Sequence, residues 1–164
     1  MKIRHIKESD DKKEISKIYE DSWKFAYAGI IPKNYLESIP KGHWIPHLEN
    51  KNMNNLVLIK DGKFIGTSSC CHSRSKEFEN FGEIVSIYLL PEYTGKGYGN
   101  KLFEATLNEL TELGYKDVFL WVLEENNRAR QFYESQKFKI SNKFNYINIG
   151  GKNLKEVVYV YKND

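Results

Sequence analysis

Cysteine is scarce. Cys70 and Cys71 are the only two, adjacent and so badly placed to bridge each other, and no third exists to pair with either. A disulfide framework is excluded, and a reducing compartment fits. Long apolar runs are missing as well. The longest are of strand length, far below the roughly 18 residues that a spanning helix needs, and the stretch Met1 to Glu14 is charged where a secretory leader would carry an apolar segment. No membrane association is expected, and the cytoplasm is the expected location. Nor does one sign of charge dominate. Lys and Arg number 25 against 22 Asp and Glu, a formal +3, mixed along the chain rather than gathered in a basic arm, which argues against a dedicated nucleic-acid binder. His5, His43, His47 and His72 are scattered without metal-ligand spacing, and no metal is expected.

What is present describes a folded chain. Hydrophobic residues make up 40% and aromatic residues 14%, enough apolar and β-branched surface to offset chain entropy, so disorder is excluded for most of the length. At 164 residues the chain fits one domain, residues 1–164. No repeat, low-complexity segment or linker divides it.

The pattern opens with a strand, Lys2 to Ile6. Ser9 and Asp10 are N-cap candidates for a helix whose apolar face is Ile15, Ile18, Tyr19, Ser22, Trp23 and Ala26. Gly29, Pro32, Pro40, Gly42 and Pro46 break the next stretch into a helix-loop-helix segment. Leu56 to Lys60, Asp61-Gly62 and Lys63 to Cys71 read as strand, type I′ turn and strand. Ser73 to Asn80 is a loop, Ile84 to Leu90 a strand ended by Pro91, Tyr98 to Leu113 a helix stopped by Gly114, and Val118 to Leu123 a strand. A helix from Asn126 to Ser135 and a hairpin of Phe138 to Ile149 with Lys152 to Tyr161 close the chain. Hairpins dominate, and only the strand, glycine turn, helix, strand unit demands a parallel crossover. The fold class is therefore α/β: a mixed, mostly antiparallel sheet with two helices on each side.

Between strand and helix stands Gly95-Lys96-Gly97-Tyr98-Gly99. Glycines let a backbone approach a ligand closely, and the unpaired N–H groups of a first helical turn attract an anion, naturally a phosphate. A plain tight connection would use the same residues. Neither a Walker loop nor a dinucleotide-binding fingerprint is matched.

The longer string from Ile87, Tyr88 and Leu89 through Thr94, Gly95, Lys96, Gly97, Tyr98, Gly99 and Asn100 to Leu102 resembles the acetyl-coenzyme A signature of the GNAT superfamily of N-acetyltransferases. The segment Asn126-Asn127-Arg128-Ala129-Arg130-Gln131-Phe132-Tyr133, followed by Gln136-Lys137-Phe138, resembles that family's second cofactor segment. The likeness runs from the Leu56 hairpin to the end of the chain. One position departs: Thr94 stands where the family pattern has Gln or Arg.

The resemblance implies a sheet splayed between its fourth and fifth strands, with the pantetheine arm of acetyl-coenzyme A bonded in the gap like an added strand and an amide near Leu89 facing the thioester. It implies acetyl transfer to a primary amine by direct attack in a ternary complex. By position, Glu83 is the family's proton-accepting glutamate and Tyr133 its general-acid tyrosine, with Asn126 and Arg128, and Arg130 beside them, toward the cofactor. Trp23, Tyr27, Tyr35 and Trp44 belong to the segment that lines the acceptor side, though as aromatics they equally suit a core. A small amine such as a polyamine is the expected acceptor, on the strength of Glu20, Asp21, Glu37 and Glu49 in or near that segment. A protein N-terminus, or a non-catalytic acyl-coenzyme A sensor, is the alternative. A homodimer is left open.

Overall fold

Short alternating segments joined by tight turns build the sheet, and the computed structural model describes it over residues 1–163; Asp164, the last residue of the expected domain, lies outside the described residues. In chain order the elements are β1 (Lys2–His5), α1 (Lys12–Ala26), α2 (Lys33–Ser38), α3 (Ile45–Leu48), β2 (Asn54–Lys60), β3 (Lys63–His72), β4 (Gly82–Leu89), α4 (Tyr98–Glu112), β5 (Asp117–Leu123), α5 (Asn127–Ser135), β6 (Lys139–Ile149) and β7 (Lys152–Lys162). One mixed sheet has the order β1-β2-β3-β4-β5-β7-β6. Every neighbouring pair is antiparallel except β4 and β5. The β2–β3 turn has positive φ at both Asp61 (50°) and Gly62 (74°), as a type I′ hairpin requires.

Strand alternation divides the core between two faces. Cys70, Ile84, Val118, Leu120 and Val122 pack with Phe103 and Leu110 of α4 and with Phe132 and Tyr133 of α5. Opposite, Val57 packs with Ile15 and Tyr19 of α1 and Leu48 of α3, while Leu123 and Leu154 meet Leu36 of α2. The one-turn α3 thus makes three helices on the α1 side, where two were expected.

The first helix is capped by neither N-cap candidate but by the residue after Asp10. Asp11 caps it by accepting from the amides of Lys13 and Glu14. Asp10 is occupied elsewhere: the Arg4 guanidinium holds both its carboxylate oxygens at 2.9 Å, and the Lys7 amide donates to it at 2.7 Å. That ion pair keeps the Asp10 carboxyl below its ordinary value.

Two irregularities in β4 prepare the site. Its parallel ladder with β5 runs only from Gly82↔Val118 to Ile84↔Leu120 and then stops. On the other side Ser69 pairs with Ser86 but Cys70 pairs with Ile84, so Val85 is a bulge that turns the strand and increases its twist.

Candidate functional site

Beyond Ile84, β4 parts from β5. The Leu90 amide donates to the Ile65 carbonyl at 2.8 Å and Tyr88 pairs with Thr67 on β3, so by alternation the backbone groups of Ile87 and Leu89 face the gap. No strand covers that edge among the described residues. One of its carbonyls is nevertheless satisfied: buried Ser22 of α1 donates to the Leu89 oxygen at 2.7 Å. The other main-chain groups of that edge have no strand partner on the β5 side.

Two cavities flank this gap. The first, about 620 Å³, is walled by Leu89, Thr94, Gly95, Gly97, Gly99, Asn100 and Arg128, with Ser22, Phe25 and Phe132. Gly97 is the N-cap of α4, left-handed at φ 88° and without a side-chain cap, so the first-turn amides of this 15-residue helix keep their affinity for an anion. Asn126 caps α5 by accepting from the Ala129 amide at 3.2 Å. Lys96 and Tyr98 contribute no side chain to the wall: the Lys96 ammonium lies over the Tyr93 ring at 5.7 Å, and that of Lys60 over Tyr98 at 6.0 Å. Arg130 is turned away too, donating to the Tyr159 hydroxyl at 3.0 Å and the Glu124 carbonyl at 2.9 Å.

The second cavity, about 550 Å³, takes in Trp23, Tyr27, Arg74, Glu83, Ser86, Trp121, Ile147, Ile149 and Glu156. Ala26, Ile87, Tyr88, Asn126 and Tyr133 line both cavities, so the two spaces meet there. Tyr133 is fixed at this junction by Phe103, whose ring centroid is 5.9 Å away, and burial pushes its phenol well above the ordinary range. The Trp23 indole Nε1, on the wall of this second cavity, is buried without a hydrogen-bond partner.

Glu83 is the second residue of β4, and it is 2% exposed rather than solvated at the strand end. Arg74 of the 73–80 loop holds it with three donors: the backbone amide and Nε to Oε1, each at 3.1 Å, and a terminal nitrogen to Oε2 at 2.6 Å. A carboxylate has about four acceptor positions, so Oε2 retains one.

Several residues from the expected acceptor side are elsewhere. Tyr35 packs against the β6–β7 turn, where Gly150 has φ 62° and an added Cβ would lie 2.6 Å from the Tyr35 Cβ. Trp44 stacks on Tyr19. The four carboxylates expected there also stand apart from the cavity wall. Glu20 accepts from Ser16 and the Gly42 amide, Asp21 pairs with Lys17 and Glu37 with Lys33 one helical turn away, and Glu49 is exposed. In their place stands Glu156 of β7, a residue without a motif. Its signal was a charge between Leu154 and Val158 on the face that otherwise packs inward. Cys70 and Cys71 are buried, their thiols pushed up to about 12 and about 11 by desolvation, which removes them as nucleophiles.

The chain matches the family model of the acetyltransferase (GNAT) family over residues 14–138. It is 31% identical over 152 residues to the uncharacterized N-acetyltransferase YuaI of Bacillus subtilis, covering 90% of this chain and 86% of that protein. It is 27% identical over 140 residues to a spermidine N(1)-acetyltransferase of Thermoplasma acidophilum, covering 80% and 84%. The fold matches the crystal structure of the PaiA N-acetyltransferase of Thermoplasma acidophilum in complex with coenzyme A, with a TM-score of 0.75, 24% identity and 99% of each chain covered.

Proposed function

The chain belongs to the GNAT acetyltransferase family, and from that premise we propose that residues 1–164 act as one cytoplasmic domain moving the acetyl group of acetyl-coenzyme A directly to a small cationic primary amine, such as a polyamine, in a ternary complex. The observation that carries this reading is the junction: two separate cavities meeting at Ile87, Tyr88 and Tyr133 let a donor and an acceptor be held together. A coenzyme A donor suits the first cavity, where unpaired backbone of Ile87 and Leu89 borders a glycine turn and an uncapped helix N-terminus.

Each role follows from position. The α4 amides and the Gly95–Gly99 turn hold the pyrophosphate, with the backbone amides of Lys96 and Tyr98 as donors and Asn100, Asn126 and Arg128 on the rim. The gap-facing edge of β4 takes the pantetheine, and an amide there stabilises the oxyanion that forms as the amine attacks. An amine with a pKa near 10 reaches neutral solution protonated. Glu83, held by Arg74, takes that proton at the open position of Oε2 through water. The amine nitrogen then bonds to the acetyl carbon, the carbon–sulfur bond breaks, and the proton that the nitrogen sheds on becoming an amide passes through water to replace the one Tyr133 gives up. Tyr133 supplies a proton to the leaving thiolate, a task suited to a phenol that burial keeps neutral. Trp23 and Tyr27 shape the acceptor space.

The cationic acceptor is favoured by the carboxylates Glu83 and Glu156 on the wall and by the likeness to the spermidine acetyltransferase. Thiol release from acetyl-coenzyme A with spermidine, an alanine-first peptide and an aminoglycoside side by side tests it. Spermidine turns over best; preference for the peptide would assign the chain to protein N-termini instead.

A further inference from the structure

The charges on the acceptor cavity do not balance. Its charged wall residues are Arg74, Glu83 and Glu156, and the first two neutralise each other at 2.6 Å. Glu156 takes part in no ion pair among the described residues. Its partners across the sheet are Leu123 on β5 and Asn145 on β6, neither of which carries charge. Lys155, next to it in the chain, alternates to the other face and pairs with Glu124 at 3.1 Å.

The cavity also has two different ends. The phenols of Tyr88 and Tyr133 stand on the wall it shares with the cofactor groove, whereas Glu83 and Glu156 border the acceptor cavity alone. The indole rings of Trp23 and Trp121 belong to that acceptor-only wall as well, and flat apolar rings accommodate alkyl chains and attract ammonium groups.

We infer that Glu156 is a specificity-determining residue that binds a second ammonium group of the acceptor, away from the nitrogen that is acetylated, and so selects diamines and polyamines over monoamines. This rests on the acetyltransferase reading above and deepens it. A monoamine reaching the junction leaves Glu156 without a cation, whereas a diamine whose second ammonium group reaches across to β7, where Glu156 stands opposite Leu123, neutralises it. Burial and the nearby Glu83 both raise the Glu156 carboxyl, partly offset by the Asn145 amide, the behaviour of a carboxylate lacking a cation.

The test compares 1,4-diaminobutane with butylamine, nearly the same in length and differing by one charge. The wild-type chain prefers the diamine in kcat/KM by about 10 to 100-fold, the weight of one hydrogen bond to a charged group. In Glu156→Gln that ratio falls toward 1 through a higher KM for the diamine, and Glu156→Asp restores part of it, while coenzyme A affinity reports on folding. A ratio that survives in Glu156→Gln overturns the inference. Absence of turnover with every amine, wild type included, would count against the acetyltransferase reading alone; calorimetric titration of spermidine into the coenzyme A complex then decides, since equal affinity in wild type and Glu156→Gln overturns the role of Glu156.

Discussion

The phenol oxygens of Tyr27 and Tyr88 lie 3.2 Å apart, a hydrogen bond that ties α1 to β4 beside the junction of the two cavities. Burial raises both phenols above their ordinary value, so both stay neutral and one donates to the other. Tyr27→Phe leaves the buried Tyr88 hydroxyl without this partner. The expected loss is roughly 1 to 3 kcal/mol, read as a lower Tm by calorimetry; an unchanged Tm would mean that water replaces the phenol.

Tyr133→Phe removes the proposed proton donor while keeping the ring that packs on Phe103. The expected fall in kcat is about 100-fold, within the usual range for general-acid help, with coenzyme A affinity nearly kept. Steady-state kinetics beside cofactor titration separates the two. Parallel loss of both would make Tyr133 a packing residue.

Glu83→Gln keeps the shape of the carboxylate but not its charge. The amine must then arrive already deprotonated, so the pH–rate profile shifts toward the alkaline side. Because the variant also deprives Arg74 of its counter-charge, stability drops by roughly 2 kcal/mol. A lower Tm with an unmoved pH profile would separate the structural role from the proton-accepting one.

Glu156 should weaken the fold as pH rises. Its carboxyl is raised in the folded chain, so the folded state keeps a proton that the unfolded state has lost, and stability falls as pH climbs from the ordinary carboxylate value through the folded one. The ionisable groups sharing its cavity are Arg74, Glu83, Tyr27, Tyr88 and Tyr133, and of these Glu83 acts in the same direction. Glu156→Gln is expected to flatten that fall and to be the more stable chain at neutral pH in urea titrations. Equal curves for the two chains would count against the raised carboxyl.

Thr94→Arg restores the residue type of the family pattern. The Thr94 hydroxyl donates to the Pro91 carbonyl at 2.8 Å, closing the short turn before the glycines. Arginine gives up that bond and gains a guanidinium on the groove wall, and coenzyme A binding is expected to be unchanged or tighter by calorimetry. Weaker binding would show that the turn matters more than the charge.

What the sequence made legible was local. Asp61-Gly62, the glycine run before α4 and the Asn126 cap act on neighbours within a few residues, and the spacing of both cofactor segments carried the resemblance. What it hid depended on distant partners. Asp10 looked like a cap until Arg4, on a strand, claimed it. The Val85 bulge exists only in register with β3, and Tyr35 is held by a turn more than a hundred residues later. The wall of the second cavity combines residues from α1, the 73–80 loop, β4, β5, β6 and β7, so no single stretch carried the Arg74–Glu83 pair or the exposure of Glu156 to the cavity.

The three-rung parallel ladder between β4 and β5 leaves a seam across the middle of the sheet. On the proposed function, a pantetheine arm laid along the free edge of β4 would do the work of missing stitches, making the donor building material as well as cargo. The chain with coenzyme A in place is therefore expected to resist unfolding better than the empty one.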